Sequence, residues 1–486
     1  MNTSDTNLTE KTKALRIWIW GISGLLAILF FVIYGNLAQD DAYITFRYAR
    51  NLAIGRGFVY NDGEWVLGTT TPLYTIILAL VAYLIKMDVL RISTVINIIS
   101  LWISSGLLYE LGKSSDRTGS FFLALIFITN PFLRNFVGME SYFLMCIFML
   151  TIWAYLKGKR NVAAFFNGLL ILIRYEMVFL SIIIGILDYI KNRKPPYWIL
   201  PGFISVFIWL VFATIVFGSP IPLSASAKLL APRIPFLVGG SVYWYQIISE
   251  NPASFLILLF SLIGIFGILI FKRLSQEHLI IILFSVVYII VASISAGSFP
   301  WYYAPLVPGF AVTVVLGVIY ISQFPNNIDA FTVSKKTKQD LIKGLQFSGV
   351  LLLVTIQLVF WGKDFYLNQD MIGDNRYIPY KQLSDWLNEN ATRKQSIASF
   401  EIGYIGYFTD MKVIDLAGLV TPGLFPWVDD GAEKSLYHAI RLYSPDYVLI
   451  PYKSKSQFEI MDQAQNYHIA KTIMEKYLLY GIDNKE

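Results

Sequence analysis

The sequence predicts a mainly α, polytopic membrane protein of about eleven transmembrane helices followed by a small α/β region, and three observations predict it. Hydrophobic residues make up 56% of the 486 and charged residues only 15%, against about 25% charged in an ordinary soluble domain. The apolar residues are bunched into stretches approaching the roughly 20 residues that cross a hydrocarbon core. The basic residues stand mostly at the ends of those stretches, so the net charge of +6 follows the positive-inside rule. It does not describe a nucleic-acid surface.

Taken in order, the basic start (Lys11, Lys13, Arg16) leads into an apolar run from Ile17 to Leu37 with no small-residue cleavage site, which reads as an uncleaved first helix. Further spans are expected at 91–112, 119–137, 141–157, 161–174, 177–190, 197–217, 253–271, 278–296, 303–322 and 345–362. Between pairs of them fall the basic clusters Lys113 with Arg117, Lys157 to Arg160, Lys191 to Lys194, Lys272-Arg273 and Lys335 to Lys338. Assigning these to the cytoplasm puts the N-terminus inside and the C-terminus outside. The apolar stretch Pro72 to Lys86 is short for a crossing at ~1.5 Å per residue. Counting it as a span would put Lys113 and Lys157–Arg160 outside, so it is expected as an amphipathic or half-inserted helix at the outer interface. Gly218 to Asn251 is expected as a long outer loop.

From Lys363 the chain becomes charged and polar. Strand-like runs at Ser396–Phe400, Val413–Leu416 and Tyr447–Ile450 alternate with helical patterns at Tyr380–Asn390 and Ala432–Tyr443, which argues for an α/β unit over 363–486. The single cysteine, Cys146, excludes an internal disulfide, and His278, His438 and His468 are too scattered to suggest a metal site.

Chemistry-bearing residues crowd the first outer loop, within 38–90. Asp40 and Asp41 follow the first span directly, where partial desolvation makes a carboxylate a better proton acceptor. The bland alternative is that they cap a helix over Tyr43–Leu52. The run from Asp40 to Leu73 contains the acidic pair, Ala42-Tyr43-Ile44-Thr45 with Arg47, Ala49 and Asn51, then Gly55, Gly57, Asn61, Gly63-Glu64 and Thr69-Thr70-Thr71-Pro72-Leu73. It resembles the first external loop of GT-C membrane glycosyltransferases, most closely the group related to actinobacterial cell-wall arabinofuranosyltransferases. It departs from them at Trp65-Val66-Leu67, where family members often carry Val-Glu or Val-Gln.

The resemblance implies that 1–362 is a GT-C catalytic unit. It also implies that a loop aspartate, Asp40 first or else Asp41, deprotonates the acceptor hydroxyl, and that the donor is a polyprenyl-phosphate sugar. Gly138-Met139-Glu140 resembles the family's Gly-Met-Glu element, and Arg174-Tyr175-Glu176 its Arg-Pro-Glu element with Tyr175 in place of proline. The basic-cluster topology puts Asp40, Asp41, Arg134, Glu140, Arg174, Glu176, Trp301 and Tyr302 on one face, where ionisable groups near membrane depth are functional candidates. Arg134, Arg174 and Lys228 are expected to hold the donor phosphate. Glu140, Glu176, Trp301, Tyr302 and Tyr303 are expected to contact substrate, although a Glu140–Arg174 structural pair and an interfacial aromatic belt are the bland readings. The expected partners are that donor, a glycan, lipid or protein acceptor, and the bilayer. No cofactor is demanded, and a divalent metal between acids and phosphate is compatible with the sequence. A transporter or flippase of lipid-linked sugars is the rival class; it predicts internal repeats with broken helices, and none is visible.

Overall fold

The computed structural model describes residues 3–112, 117–230, 235–271, 274–295, 299–323, 334–368, 372–427, 431–461 and 464–482. Among these, seven helices are long and apolar enough to cross a membrane: Lys13–Tyr34, Val89–Gly112, Tyr197–Phe217, Pro252–Ile270, Gln276–Ile294, Pro300–Ser322 and Lys336–Leu367. The remaining expected spans are shorter helices. The segment expected as one span over 119–137 is an α-helix at Arg117–Ile128 and a separate 3-10 helix at Pro131–Phe136. Pro131 cannot continue the first ladder, and the Asn130 side chain caps the second by accepting from the Phe132 N–H at 2.9 Å. Ser141–Leu156, Arg160–Ile173 and Val178–Asn192 are α-helices of 14 to 16 residues. Pro72–Ile85 is a 14-residue helix, stopped by Lys86 in the left-handed region. The outer loop expected over 218–251 instead contains two helices, Leu223–Leu230 and Phe236–Glu250.

Five strands form the C-terminal sheet: β1 (Ser396–Ser399), β2 (Lys412–Asp415), β3 (Tyr447–Pro451), β4 (Tyr467–Ile473) and β5 (Tyr477–Ile482), in the order β2-β1-β3-β5-β4. β1 runs parallel to β2 and β3, while β5 is antiparallel to β3 and β4. The β4–β5 hairpin carries no Asn-Gly signal. Its turn uses Met474 and Glu475 at φ 50° and 53°, a conformation ordinarily given to Asn or Gly.

Strand alternation divides the sheet between two cores. Ile397, Val413, Leu449 and Leu479 point into the same core as the membrane helices. Ala398, Ile414, Val448, Ile450 and Leu478 point the other way, against Leu436, Ala439 and Ile440 of the Ala432–Tyr443 helix. The sheet is thus packed on one face against the rest of the molecule.

Candidate active site

The helix that organises the site is Asp40–Ala53, which starts three residues earlier than the sequence pattern suggests. It is amphipathic in an unusual sense, because two different polar faces are both covered. On one face Asp40, Arg47 and Arg50 meet the C-terminal region. The Asp40 carboxylate accepts main-chain N–H bonds from Gly403 at 2.9 Å and Tyr404 at 2.8 Å. Asp40 therefore caps a helix, but that helix is Gly403–Phe408, some 360 residues away in sequence; its own helix has no side-chain cap. Arg47 donates to the carbonyls of Tyr60 (2.7 Å) and Met411 (2.8 Å), and the Tyr60 hydroxyl donates to the Ile402 carbonyl at 2.6 Å.

Two glycines make this contact close enough. A Cβ on Gly403 would lie 1.8 Å from the Asp40 carbonyl oxygen, and one on Gly406 would lie 1.9 Å from the Tyr60 hydroxyl. Both are helical positions of closest approach.

Asp40 is 1% exposed. Burial pushes its carboxyl up to about 7, with the nearby Glu401 adding to the rise and Arg376 and the Tyr404 N–H opposing it. Asp415, buried beneath the Ala417, Leu419 and Val420 amides that donate to it, is likewise pushed up to about 7 by burial.

The opposite face of the same helix borders a cavity. Asp41, Ile44 and Thr45 line it together with Gly68 to Thr71, Met139, Glu140, Arg174, Ser224, Trp301, Tyr302 and Leu419. The Thr45 hydroxyl lies 3.4 Å from those of Thr69 and Thr71, which are 3.2 Å apart. Glu140 reaches the cavity because Gly138 turns the chain at φ 84°, against Ala38; a Cβ there would approach the Ala38 Cβ to 2.7 Å.

Arg174 sits at an extended break (φ −153°, ψ 125°) after the Arg160–Ile173 helix. Its guanidinium is 2.8 Å from Glu176 and 3.9 Å from Glu140, donates to the Trp301 carbonyl at 3.1 Å, and lies 4.6 Å above the Tyr302 ring. The side chains of Arg174 and Glu140 are 5% exposed, whereas that of Glu176 is 33% exposed.

Asp41, Glu140, Arg174, Glu176, Trp301 and Tyr302 are therefore one constellation, drawn from four separate segments of the chain. The others fall elsewhere. The Asp40 carboxylate is taken up by amides outside the cavity. Tyr303 is buried, stacks on Phe236 at 4.4 Å and donates its hydroxyl to the Phe236 carbonyl, and it does not line this cavity. Lys228 lies in the Leu223–Leu230 helix, whose Ser224 lines the cavity, but its side chain is outside the described residues. Arg134 lines a second cavity of about 340 Å³ with Tyr34, Gln39, Gln246, Glu250 and Asp364. There it is paired with Glu250, and with Asp364 at 3.2 Å. Sequence reasoning did not single out Ser224, Leu419 or the threonine hydroxyls; only the Thr-Thr-Thr-Pro run carried a signal. Among the described residues no group of three or more His, Cys, Asp or Glu is arranged to hold a metal ion.

A family model described as a domain of unknown function, DUF8728, matches residues 369–483. No curated protein matches the chain in sequence. Solved structures resemble it along almost its whole length. ArnT from Cupriavidus metallidurans in the apo state gives a TM-score of 0.59 at 10% identity, covering 100% of both chains. The same protein bound to undecaprenyl phosphate gives 0.57 at 9%, covering 97% of this chain and 99% of that one. The Archaeoglobus fulgidus oligosaccharyltransferase gives 0.55 at 11% over 93% and 72% of the two chains. The mycobacterial arabinofuranosyltransferase AftD gives 0.54 at 11% over 97% of this chain and 40% of that one. At such identities the likeness carries the fold, and that fold is GT-C: the chain is a mainly α polytopic membrane protein of GT-C architecture with a small C-terminal α/β region.

Proposed function

We propose that this chain is an inverting membrane glycosyltransferase that moves a sugar from a polyprenyl-phosphate donor to a glycan, lipid or protein acceptor at the extracytoplasmic face, with Asp41 as the base. One observation carries the reading: within a GT-C fold, Asp41 shares a single cavity with Glu140, Arg174, Trp301 and Tyr302. The bound undecaprenyl phosphate of one structural neighbour supports a lipid-linked donor.

The chemistry needs few parts. The Asp41 carboxylate takes the acceptor hydroxyl proton as that oxygen attacks the anomeric carbon. The bond from that carbon to the phosphate oxygen breaks on the opposite side, and polyprenyl phosphate leaves with the electron pair. Because the leaving group is already stable as an anion, a cation to hold it replaces a general acid. Arg174 is that cation, with Lys228 on the adjoining helix a second. The Trp301 carbonyl holds the guanidinium at 3.1 Å, with the buried Glu140 3.9 Å away, while the more exposed Glu176 is the partner that a phosphate oxygen displaces. Trp301 and Tyr302 offer faces for a sugar ring.

The cavity is only about 40 Å³ as it stands, room for a few waters at ~10–15 Å³ each and not for a sugar. Admission of the donor therefore requires its wall to move. The Leu223–Leu230 helix contributes Ser224 to that wall and is tied to the loop where the Leu223 N–H donates to the Leu67 carbonyl at 2.8 Å.

Purified protein in nanodiscs, offered a panel of polyprenyl-phosphate sugars with cell-envelope acceptors, tests this directly. Release of polyprenyl phosphate coupled to a new glycosidic product is the expected result. Movement of intact donor between leaflets without release would identify a flippase instead.

A further inference from the structure

Three arginines converge on one carboxylate on the far side of the Asp40–Ala53 helix from Asp41. Asp410 lies 3.1 Å from Arg50, 3.5 Å from Arg56 and 2.9 Å from Arg393. Four side chains thus carry two positive charges in excess. Arg50, Arg393 and Asp410 border a cavity of about 420 Å³ together with Asn388, Thr392 and Thr409, and Arg56 joins them through Asp410, so positive charge faces space flanked by hydrogen-bonding groups. Arg50 spends one nitrogen on the Tyr407 carbonyl at 2.5 Å, yet its Nε is buried without a hydrogen-bond partner. Arg393 is 76% exposed, so its guanidinium is open to a ligand from solvent.

The cluster stands beside the ends of two membrane-length helices. The Tyr407 hydroxyl donates at 2.6 Å to Asp88, the residue before the Val89–Gly112 span. Two residues after Arg56, Phe58 packs on Trp209 and Phe217 of the Tyr197–Phe217 span, with ring centroids 5.6 and 5.8 Å away. Exposed apolar side chains flank the same ends: Ile54 after the Asp40–Ala53 helix, Leu84 and Ile85 at the end of Pro72–Ile85. Paired guanidiniums at headgroup level beside exposed aliphatic surface match a phosphate that carries acyl chains.

We propose that the Arg50–Arg56–Arg393 cluster binds the phosphate of an anionic phospholipid headgroup, docking the C-terminal region and the Asp40–Ala53 helix onto the membrane surface together. The binding is separate from glycosyl transfer and does not depend on the assignment of Asp41.

The experiment uses full-length protein extracted in mild detergent and titrated with phosphatidylglycerol or phosphatidylcholine, with bound lipid counted by native mass spectrometry. Phosphatidylglycerol is expected to bind at least tenfold more tightly than phosphatidylcholine, and Arg393→Gln with Arg56→Gln to lose that preference. Asp410→Asn supplies the opposite sign: it removes the competing carboxylate, so phosphatidylglycerol should bind as tightly as before or several-fold more tightly. If Asp410→Asn loses the lipid just as the arginine variants do, the four side chains are only a structural ion network and the proposal fails. Displacement of phosphatidylglycerol by an equal concentration of inorganic phosphate would also overturn it, since the site would then read free phosphate.

Discussion

At the scale of the residue, two adjacent acids have opposite fates because a helix turns by about 100° per residue. Asp41 lines the cavity with Arg174, and Asp40 is buried against the Gly403 and Tyr404 amides. The sequence made the pair legible as chemistry. It gave no sign of which member faces the substrate, because the partner of Asp40 lies in another part of the chain. Asp40 has a consequence for stability. Its carboxyl is raised to about 7 in the folded protein against about 3.9 in the unfolded chain. Its neutral form is therefore the favoured one, and its contribution is complete below about pH 4 and lost as the pH rises to about 7. Relative to Asp40→Asn, which does not titrate, the wild type should lose thermal stability between pH 4 and 7 and run parallel above that; a constant offset across this range would contradict the assignment. Arg174→Gln should weaken donor use about tenfold to a hundredfold, the worth of one charged hydrogen bond. Glu176→Gln should instead lower the KM for donor, because it frees the same guanidinium. Equal losses in both variants would mean that the trio is structural.

At the scale of the element, local pattern was a good guide wherever burial followed one period. The first three strands were legible as short strand-like runs, buried on both faces, and the flanking helices as helical patterns. The β4–β5 hairpin was not, because its turn places Met474 and Glu475 at positive φ without the residues that ordinarily announce it. Arg117–Ile128 and Pro131–Phe136 merged in the hydropathy pattern, since both are apolar and only Thr129-Asn130 separates them. The helix Gly403–Phe408 was hidden for another reason: at six residues it is too short for a periodic signal, and it is held by contacts distant in sequence. Gly403→Ala tests that account. The added methyl meets main chain at 1.8 Å, with nothing flexible to give way, so a severe loss of thermal stability is expected. Gly344→Ala, with nothing within 4 Å of its added Cβ, should leave the melting point unchanged or slightly higher, as alanine is favoured over glycine in a helix by roughly 0.5–1 kcal/mol. Similar effects at both sites would mean that the Gly403 contact is not formed.

At the scale of the whole molecule, the membrane helices, the first-loop helix and the C-terminal sheet share one apolar core, so the cavity's geometry depends on parts of the chain that look separable in sequence. We propose that the first loop and residues 363–486 are extracytoplasmic. In a Cys146→Ser background, thiols at the exposed Asp62 and Asn390 should react with an impermeant reagent in intact cells, while one at Lys159 should not; labelling at Lys159 alone would invert the orientation. Composition and basic-residue placement were enough to read the membrane class, and one loop motif was enough to suggest the fold. The convergence of Glu140, Arg174 and Trp301 on Asp41 was legible only as residues expected on a common face, because hydropathy orders helices along the chain and not around the bundle. The central claim is that Asp41 is the base for glycosyl transfer. The measurement is the single-turnover rate with a polyprenyl-phosphate sugar for wild type, Asp40→Asn and Asp41→Asn, with thermal unfolding recorded in the same detergent. Asp41→Asn should keep a near-normal melting point and lose about a hundredfold to ten-thousandfold in rate, the scale of general-base catalysis. Asp40→Asn should shift the melting point and keep most of the rate; full activity in Asp41→Asn would contradict the account.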